Sequence, residues 1–273
     1  MITSTQNQLV KLFRKLHASK YRHELDLSLL EGSHLIEEAI ASGCELENLC
    51  FTEHWCDRNP DLYHQAIERS RRTELVSDSV LSAMVTTVKP DGVVATIGRR
   101  LHQKLGHLES FGLAISRIQD PGNVGTMIRT AAAAGVDELW ISGDSVELDH
   151  PKVMRASAGQ WFRLPMVSLE DLGSQIIQAK QAGIQVVTTL PTADRIHWEA
   201  DFTRPTLVVM GNEGAGLSPD IAQLADVPVR IPLARGVESL NVAIAAAVIL
   251  YEVQRQRQAQ SLSQGFSQKL NPG

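Results

Sequence analysis

The stretch IQDPGNVGTMIRTAAAAG, residues 118–135, decides the class of the fold. It reads as the end of a strand, a turn containing Pro121, Gly122 and Gly125, and then a helix. Glycines let a backbone approach a ligand closely, and a helix N-terminus favours anionic groups. A plain tight connection explains this pattern equally well. The dinucleotide-binding pattern G-x-G-x-x-G is incomplete here, because the turn has a single Gly-x-x-Gly pair.

Downstream of this stretch, strand-like and helical segments alternate. The candidate strands are LAISRI, ELWIS, RLPMV, IQVVTTL, TLVVMG and VPVRIP. Strands that alternate with helices favour a mostly parallel sheet covered on both faces. Ligands of such sheets bind outside the carboxyl ends of the strands. We therefore predict an α/β domain over residues 111–258.

Upstream lies a smaller α/β unit, predicted over residues 1–98. It begins with an amphipathic helix, because Leu9, Leu12, Phe13 and Leu16 recur at helical spacing. The short runs LSLLEG, LENLCF, TELV and GVVATIG follow as candidate strands. The weakly periodic residues 99–110 are interpreted as a linker. The polar, low-complexity residues 259–273 are predicted to be a disordered tail.

Composition indicates a soluble globular protein of 273 residues, with 43% apolar and 21% charged residues. The sequence has no apolar run of membrane-spanning length, and its N-terminus lacks the apolar block of a signal peptide. Three cysteines without close-set pairs indicate reduced thiols and a cytoplasmic location. The histidines show no ligand spacing, so no metal is expected.

The charge distribution bears on nucleic-acid binding. A formal net charge of −5 argues against a general nucleic-acid coat protein. The N-terminal segment is basic, however, because five Lys and Arg residues precede the first acid, Glu24. Lys11, Arg14 and Lys15 are the candidate RNA contacts in this segment. A solvated helix face explains these residues equally well.

A second unusual segment is VVMGNEGAGLSPD, residues 208–220. Gly211, Gly214 and Gly216 surround Asn212 and Glu213 directly after an apolar strand. A carboxylate inside a glycine loop adds no packing, so its presence favours a function over a plain loop. The LSPD that follows is typical of a helix start, with the serine as cap and the proline in the first turn.

The third segment is IPLARGVESLNVAIAAAVILYE, residues 231–252. Its helix is apolar on every face and is therefore expected to be buried on every face. Ser239 or Asn241 could simply cap this helix. Capping does not account for Glu238, Ser239 and Asn241 together. The polar residues are instead expected at the mouth of the core, where a ligand could bind.

These three segments, in this order, resemble the motifs of the SpoU-type (TrmH-like) RNA ribose 2′-O-methyltransferases. The intervening PKVMRASAGQWFRLP, residues 151–165, also resembles the family, and the similarity covers roughly residues 112–254. More loosely, KYRHELDLSLLEGSHLIEEAI is similar to the small substrate-binding domain of members that modify large-subunit ribosomal RNA.

The resemblance implies a SPOUT-type domain with a deep trefoil knot, an exception to the rule that chains do not thread loops. It also implies S-adenosylmethionine as cofactor, RNA as substrate and a homodimer through the C-terminal domain, with the final apolar helix at the interface. The implied catalytic residues are Asn123, Arg129, Glu213, Ser239 and Asn241. The implied cofactor-binding residues are Thr189, Leu190, Gly211, Asn212, Gly214, Ile231, Leu233 and Leu240.

The implied reaction moves a methyl group to a ribose 2′-hydroxyl, with Arg129 proposed in the family as base. A guanidinium has a pKa above about 12, so stabilising the developing alkoxide and gripping a phosphate is the more conservative role. Asn123 and Glu213 could orient Arg129. Three alternatives stay open: the same chemistry on transfer RNA, a non-enzymatic RNA- or cofactor-binding relative, and, last, a nicotinamide enzyme.

Overall fold

The computed structural model describes residues 1–99 and 108–270, with the side chains of the last helix described to residue 263. Most of the linker predicted over 99–110 therefore lies outside the described residues, as do residues 271–273 of the predicted tail. Contacts group the chain into two units. The first is Met1–Leu101 with Glu147–Arg163, and the second is His102–Val146 with Leu164–Gly273.

The first unit begins with the predicted amphipathic helix, capped by the Asn7 side chain, which accepts a hydrogen bond from the Leu9 amide (2.8 Å). Leu9 and Phe13 are buried on its inner face. The helices are α1 Gln8–Lys15, α2 Ser19–Leu25, α3 Ser33–Ala41, α4 Glu53–Arg58, α5 Pro60–Glu68 and α6 Asp78–Met84. The strands are β1 Leu27–Glu31, β2 Asn48–Phe51, β3 Thr73–Leu75 and β4 Val93–Gly98.

These four strands coincide with the four candidate strands of the sequence and form one mixed sheet in the order β1-β4-β2-β3. Strand β4 pairs antiparallel with both β1 and β2, whereas β2 and β3 are parallel. The core on one side of the sheet is closed by α1 and α6, with Phe13, Leu16, Val80 and Met84 fully buried.

The second unit begins with β5 Phe111–Ile115, α7 Pro121–Ala133 and β6 Glu138–Ser142. Strands β5 and β6 are buried at every residue and pair in parallel. Near-continuous apolar strands are the expected result when helices cover both faces of a sheet.

After β6 the chain returns to the first unit for the segment Glu147–Arg163, which contains α8 Pro151–Ala156. Charged side chains hold this segment. Asp149 (0% exposed) lies between Arg22 (1% exposed) and Arg99, whose Nε is 2.6 Å from the carboxylate. Arg155 donates to Glu31 in the same unit. The sequence indicated one domain boundary near residue 98. It did not indicate that residues 147–163 group with the first unit.

Glu147, at the start of the segment, is held ionised. Burial opposes its ionisation, but hydrogen bonds from Ser19 and His23 and the charge of Arg22 lower the pKa of Glu147 to about 2. A buried or half-buried charge that is paired in this way fixes its segment strongly, because each partner would be left uncompensated without the other.

The rest of the second unit completes a six-stranded sheet in the order β10-β8-β9-β5-β6-β7, with every pairing parallel. The mostly parallel α/β sheet predicted from the sequence is thus confirmed. The remaining elements are β7 Met166–Leu169, α9 Leu172–Gln181, β8 Gln185–Thr189, β9 Thr206–Met210, α10 Pro219–Ala222, β10 Val227–Val229 and α11 Val242–Leu270.

Helix α11 differs from its prediction in two respects. It continues to Leu270, past residue 258, where the sequence predicted that a disordered tail begins. It is also buried on one face only: Ala246, Ile249 and Val253 are fully buried, whereas Ile244 and Tyr251 are about half exposed. Within the second unit of this single chain, α11 packs chiefly on α7 and leaves its other face uncovered.

Candidate active site

The order of the sheet places the candidate site at the boundary between β5 and β9. From β5 the chain proceeds to β6 and β7 on one side, whereas β8 and β10 lie on the other side. Such a switch point leaves a crevice at the carboxyl ends of the strands. The turn before α7 follows β5, and the glycine loop follows β9, so the first two sequence motifs meet there.

The turn after β5 is fixed by a helix cap. The Asp120 side chain accepts a hydrogen bond from the amide of Asn123 (3.0 Å), and Pro121 occupies the first position of α7. A capping carboxylate and a proline at this position both favour helix initiation. Asn123 is consequently held in the first turn of the helix.

The loop after β9 closes on itself. Asn212 and Gly216 exchange two backbone hydrogen bonds, of 3.1 and 2.9 Å. Gly216 has φ +66°, and a Cβ on Gly211 would lie 2.5 Å from the backbone of Gly216 and Leu217. Glycine is therefore required at position 211 by the close approach of the loop to its own stem.

The Asn212 side chain uses its whole hydrogen-bonding capacity inside the protein. Its oxygen accepts from the amides of Gly214 (3.0 Å) and Ala215 (2.9 Å). Its nitrogen donates to the carbonyl of Arg117 (2.8 Å) and to the carboxylate of Glu213 (3.3 Å). Two acceptor and two donor positions are all that an amide has, so the Asn212 side chain has none left for a cofactor.

The third motif joins this site through Asn241. Asn123 donates to Glu213 (2.8 Å), and Asn241 donates to the oxygen of Asn123 (3.0 Å). The Asn241 oxygen accepts from the amides of Ala243 (3.0 Å) and Ile244 (3.3 Å), which caps α11. Asn241 is thus both the helix cap and a member of the polar chain. Three segments up to 118 residues apart in sequence meet here through side chains.

Arg129 and Ser239 are placed differently. Arg129 is exposed on α7, about 9 Å along the helix axis from Asn123 and on a different side of the helix. Ser239 is exposed in the loop before α11. Neither side chain makes a hydrogen bond to the other candidate residues within the described part of the chain. In a single chain, Asn123 therefore forms hydrogen bonds with Glu213 and with Asn241. Neither Asn123 nor Glu213 orients Arg129.

The candidate cofactor residues follow three neighbouring strands. Val229 of β10 pairs with Thr189 of β8, and Thr188 pairs with Val209 of β9. Leu190, Gly211 and Ile231 consequently leave the sheet at nearly the same level. The Leu190 amide donates to the Val229 carbonyl (2.9 Å), which links the first of these ends to the third.

Two exposed apolar side chains lie in the loop between β10 and α11. Leu233 and Leu240 are each 37% exposed in the loop before α11. Exposed leucines beside backbone amides and carbonyls suit a flat, partly apolar group with polar edges, such as an adenine ring. Gly214 lies exposed in the glycine loop. This donor set fits the adenosyl part of S-adenosylmethionine.

The candidate RNA contacts lie in the first unit. Arg14 and Lys15 are exposed on α1, and Lys11 is partly exposed. The Lys15 and Lys20 ammonium groups both lie over the Tyr21 ring, 5.4 and 5.8 Å from its centre.

Two other basic residues of the sequence do not belong to this surface. Arg22 and Arg99 are buried by their ion pairs with Asp149. The distribution of charge along the sequence did not distinguish these two arginines from the exposed basic residues, because their acidic partner is more than 40 positions distant in sequence.

The described residues hold no group of three or more His, Cys, Asp or Glu side chains placed to bind a metal ion. Across the same residues, no helix combines the length and the apolar character that a bilayer crossing needs.

Two family models match the chain. Residues 110–251 match the model of the SpoU rRNA Methylase family, and residues 7–95 match the MRM3-like substrate binding domain. The chain is 46% identical to an uncharacterized tRNA/rRNA methyltransferase of Synechocystis sp. over 95% of both chains. It is 32% identical to the 23S rRNA (guanosine(2553)-2′-O)-methyltransferase RlmP of Bacillus subtilis, over 92% of this chain and 98% of that one.

Among solved structures, the chain is similar to the SpoU methyltransferase AviRb from Streptomyces viridochromogenes in complex with the cofactor AdoMet. The TM-score is 0.83 at 29% identity, over 92% of this chain and 98% of that one.

Proposed function

The chain belongs to the SpoU rRNA methylase family, and on that premise we propose that it methylates a ribose 2′-hydroxyl of large-subunit ribosomal RNA. It is an S-adenosylmethionine-dependent RNA 2′-O-methyltransferase. The observation that carries the proposal is the polar chain Glu213–Asn123–Asn241, which lies beside the ends of β8, β9 and β10. A plain helix cap or a plain glycine loop would not join all three segments.

S-adenosylmethionine supplies an electrophilic methyl group on a positively charged sulfur. The chain's backbone near Leu190, Gly211 and Ile231, with Leu233 and Leu240, would hold the adenosyl part, and the bound cofactor would present its methyl group to the acceptor hydroxyl. Alignment of the acceptor hydroxyl with this methyl group supplies much of the rate enhancement.

Methyl transfer would replace the carbon–sulfur bond with a bond from the methyl carbon to the 2′-oxygen, and the hydroxyl proton would leave to solvent. Negative charge on the oxygen is the costly feature of this step. Arg129 is a permanent cation and is exposed, without a hydrogen bond or ion pair in the described residues. We assign it to stabilise that charge and to bind the adjacent phosphate. Ser239 and Asn241 bind near the methionine end or the ribose.

The domain is proposed to carry the deep trefoil knot of its family and to form a homodimer in the cytoplasm. The support for a dimer is an apolar surface of the second unit, made of exposed residues in α11 and the loop before it. Its members, apart from the two leucines assigned to the cofactor, are Val237 (49% exposed), Ile244 (52%) and Tyr251 (50%). Apolar surfaces of this kind on a single chain mark association sites.

Substrate binding is assigned to the first unit, which matches a substrate binding domain over residues 7–95. Its basic residues Lys11, Arg14 and Lys15 are available to phosphates, because they are not buried in ion pairs as Arg22 is. Single-stranded loops of ribosomal RNA offer the splayed nucleotides and the 2′-hydroxyl that such an enzyme requires.

The test is to incubate the protein with labelled S-adenosylmethionine and total RNA from a strain that lacks it. Label is expected in one ribose of large-subunit ribosomal RNA. Label in transfer RNA alone would contradict the substrate assignment, and no label in any RNA, assembled particles included, would contradict the proposed activity.

A further inference from the structure

The corner between α1 and α2 carries an aromatic ring between two lysines. The Lys15 ammonium lies 5.4 Å from the centre of the Tyr21 ring, and the Lys20 ammonium lies 5.8 Å from it. Tyr21 is partly exposed, and its hydroxyl makes no hydrogen bond to any residue that the structure describes. Both lysines are exposed, and neither is in an ion pair within the described ranges. This lysine–tyrosine corner, made of Lys15, Lys20 and Tyr21, therefore presents a ring and two positive charges to solvent.

The backbone of the corner is held from inside by a buried arginine. Arg22 is 1% exposed and donates to the carbonyls of Leu16 (3.2 Å) and His17 (3.4 Å), where α1 ends. Arg22 is itself fixed by ion pairs with Glu147 and Asp149 of the same unit. A side chain that is presented from a fixed backbone loses less freedom when a ligand arrives, which favours binding.

Folding of the two helices does not account for the charges around the corner. Helix α1 contains no acid, and its Lys11, Arg14 and Lys15 are three or four positions apart, so these cations repel one another. Lys20 is in the first turn of α2, where a positive charge opposes the helix dipole. This turn has no acid to compensate Lys20. The charges become favourable when a polyanion binds.

We propose that the lysine–tyrosine corner binds an unstacked nucleotide of the substrate RNA, with phosphates on Lys15 and Lys20 and a base on the Tyr21 ring; this rests on the proposed function. A charged phosphate attracts an ammonium more strongly than a neutral ring does. The incoming strand therefore draws the lysines away from the ring, and the ring becomes free for a base.

The occupant has to use both parts of the corner. Free phosphate or an acidic protein segment would neutralise the lysines and leave the ring unused. A nucleotide carries a phosphate and a flat base in one unit, and basic side chains beside aromatic rings bind single-stranded nucleic acids in this way. Bases inside a duplex are already stacked, so only a single-stranded segment can offer one to Tyr21.

The first experiment tests the base contact. Fluorescence anisotropy measures the binding of oligouridine, whose bases are unstacked, and of a blunt RNA duplex. Tyr21→Leu should weaken oligouridine binding roughly five- to hundredfold and leave duplex binding unchanged. Tyr21→Phe keeps the ring and should bind oligouridine as the parent does. Equal oligouridine affinity of the parent and Tyr21→Leu would overturn the proposal.

The second experiment tests the phosphate contact. In Lys20→Gln, the slope of log Kd against log salt for oligouridine should decrease by about 0.7, the value for one phosphate of a single strand. Arg69→Gln is the matched control. Arg69 is an exposed cation just before β3, at the opposite edge of the sheet from β1, against which α2 packs. It should keep the parental slope, and an unchanged slope in Lys20→Gln would overturn the phosphate contact.

The combined results separate this site from the proposed function. Weaker binding in Lys20→Gln with parental binding in Tyr21→Leu would show a site for phosphate groups alone and overturn the proposal. Binding that depends on the corner, without label from S-adenosylmethionine in any RNA, would contradict the proposed function while the RNA site stands. The unfolding midpoints of Tyr21→Leu and Lys20→Gln should equal that of the parent, which excludes loss of folding as the cause.

Discussion

At the residue scale, Arg129 is distinguished from the other candidate catalytic residues by its lack of partners. Asn123, Glu213 and Asn241 satisfy one another, whereas Arg129 stands exposed on α7. Sequence motifs could name all four residues, but they could not indicate that the arginine stays outside the hydrogen-bonded group in a single chain. Its position suits a side chain that meets RNA or a second copy of the protein.

Replacing Arg129 with alanine should lower kcat by at least about a hundredfold, because a cation aimed at developing charge contributes that much. S-adenosylmethionine binding should persist, since Arg129 is not among the residues proposed to hold the cofactor. Single-turnover methylation and calorimetric cofactor binding measure the two effects. Arg129→Lys keeps the charge and loses the planar fork, so partial recovery is expected. Parental kcat in a folded Arg129→Ala protein would refute the assignment.

Asn212 acts as a positioning residue. In Asn212→Asp the carbonyl of Arg117 loses its donor, and a second carboxylate faces Glu213. An unpaired polar group costs about 1–3 kcal/mol, so kcat/KM should fall roughly five- to hundredfold at neutral pH.

The direction in which the activity of Asn212→Asp changes with pH identifies the positioning role of Asn212. Protonation of the new carboxyl restores a donor, so the ratio of variant to parental kcat/KM should rise as pH falls. A ratio that stays constant from neutral pH down to about pH 4, near the ordinary pKa of an aspartic acid, would show that Asn212 contributes no hydrogen bond to the active geometry.

At the element scale, strands were easier to predict than helix ends. Each of the ten strands in the described residues overlaps a candidate strand of the sequence. Most of them lie in apolar runs, because a buried strand needs apolar residues on both faces, whereas β3 is Thr-Glu-Leu and only partly buried. Helix α11 begins at Val242 and passes residue 258, and neither boundary could be placed from composition. Its first residue depends on the Asn241 cap, and its polar end carries no apolar periodicity.

Helix α1 should carry much of the RNA affinity of the first unit. Changing Lys11, Arg14 and Lys15 together to glutamine removes three positive charges without touching the buried Leu9 and Phe13. The slope of log Kd against log salt should decrease by about two to three, because each neutralised phosphate releases counterions. A fluorescence titration at several salt concentrations measures this slope. An unchanged slope would remove α1 from the RNA surface.

Helix α11 should mediate self-association through the face that its own unit leaves uncovered. Ile244→Glu places a charge on this face and should convert a dimer to a monomer in sedimentation analysis. Ala259→Glu, exposed further along the same helix, is the matched control and should leave the dimer intact. A dimer that survives Ile244→Glu would place the interface elsewhere.

At the scale of the whole molecule, the sequence predicted two α/β units but missed that the first is discontinuous. Segment Glu147–Arg163 lies between two strands of the parallel sheet in sequence, and its apolar pattern does not distinguish it from its neighbours. Its assignment to the first unit depends on Asp149, Glu147 and Arg155, whose partners are far away in the chain.

Replacing Asp149 with alanine should destabilise the first unit by about 3–5 kcal/mol, because Arg22 would be left buried without its counter-charge. Urea unfolding followed by tryptophan fluorescence measures this loss. Glu74→Ala removes the partner of the exposed Arg72 and should cost less than about 1 kcal/mol. Equal effects of the two changes would mean that the Asp149 cluster contributes no more than a surface pair.

The chain's three passages between its units have a consequence for any attempt to study them apart. A cut near residue 100 produces an amino-terminal fragment in which Arg22 and Arg99 have lost Asp149, and a carboxyl-terminal fragment that carries the orphaned segment. Both fragments are therefore expected to be less stable than the same residues in the intact chain. A chimaera that exchanges the first unit with that of a relative should exchange residues 147–163 with it.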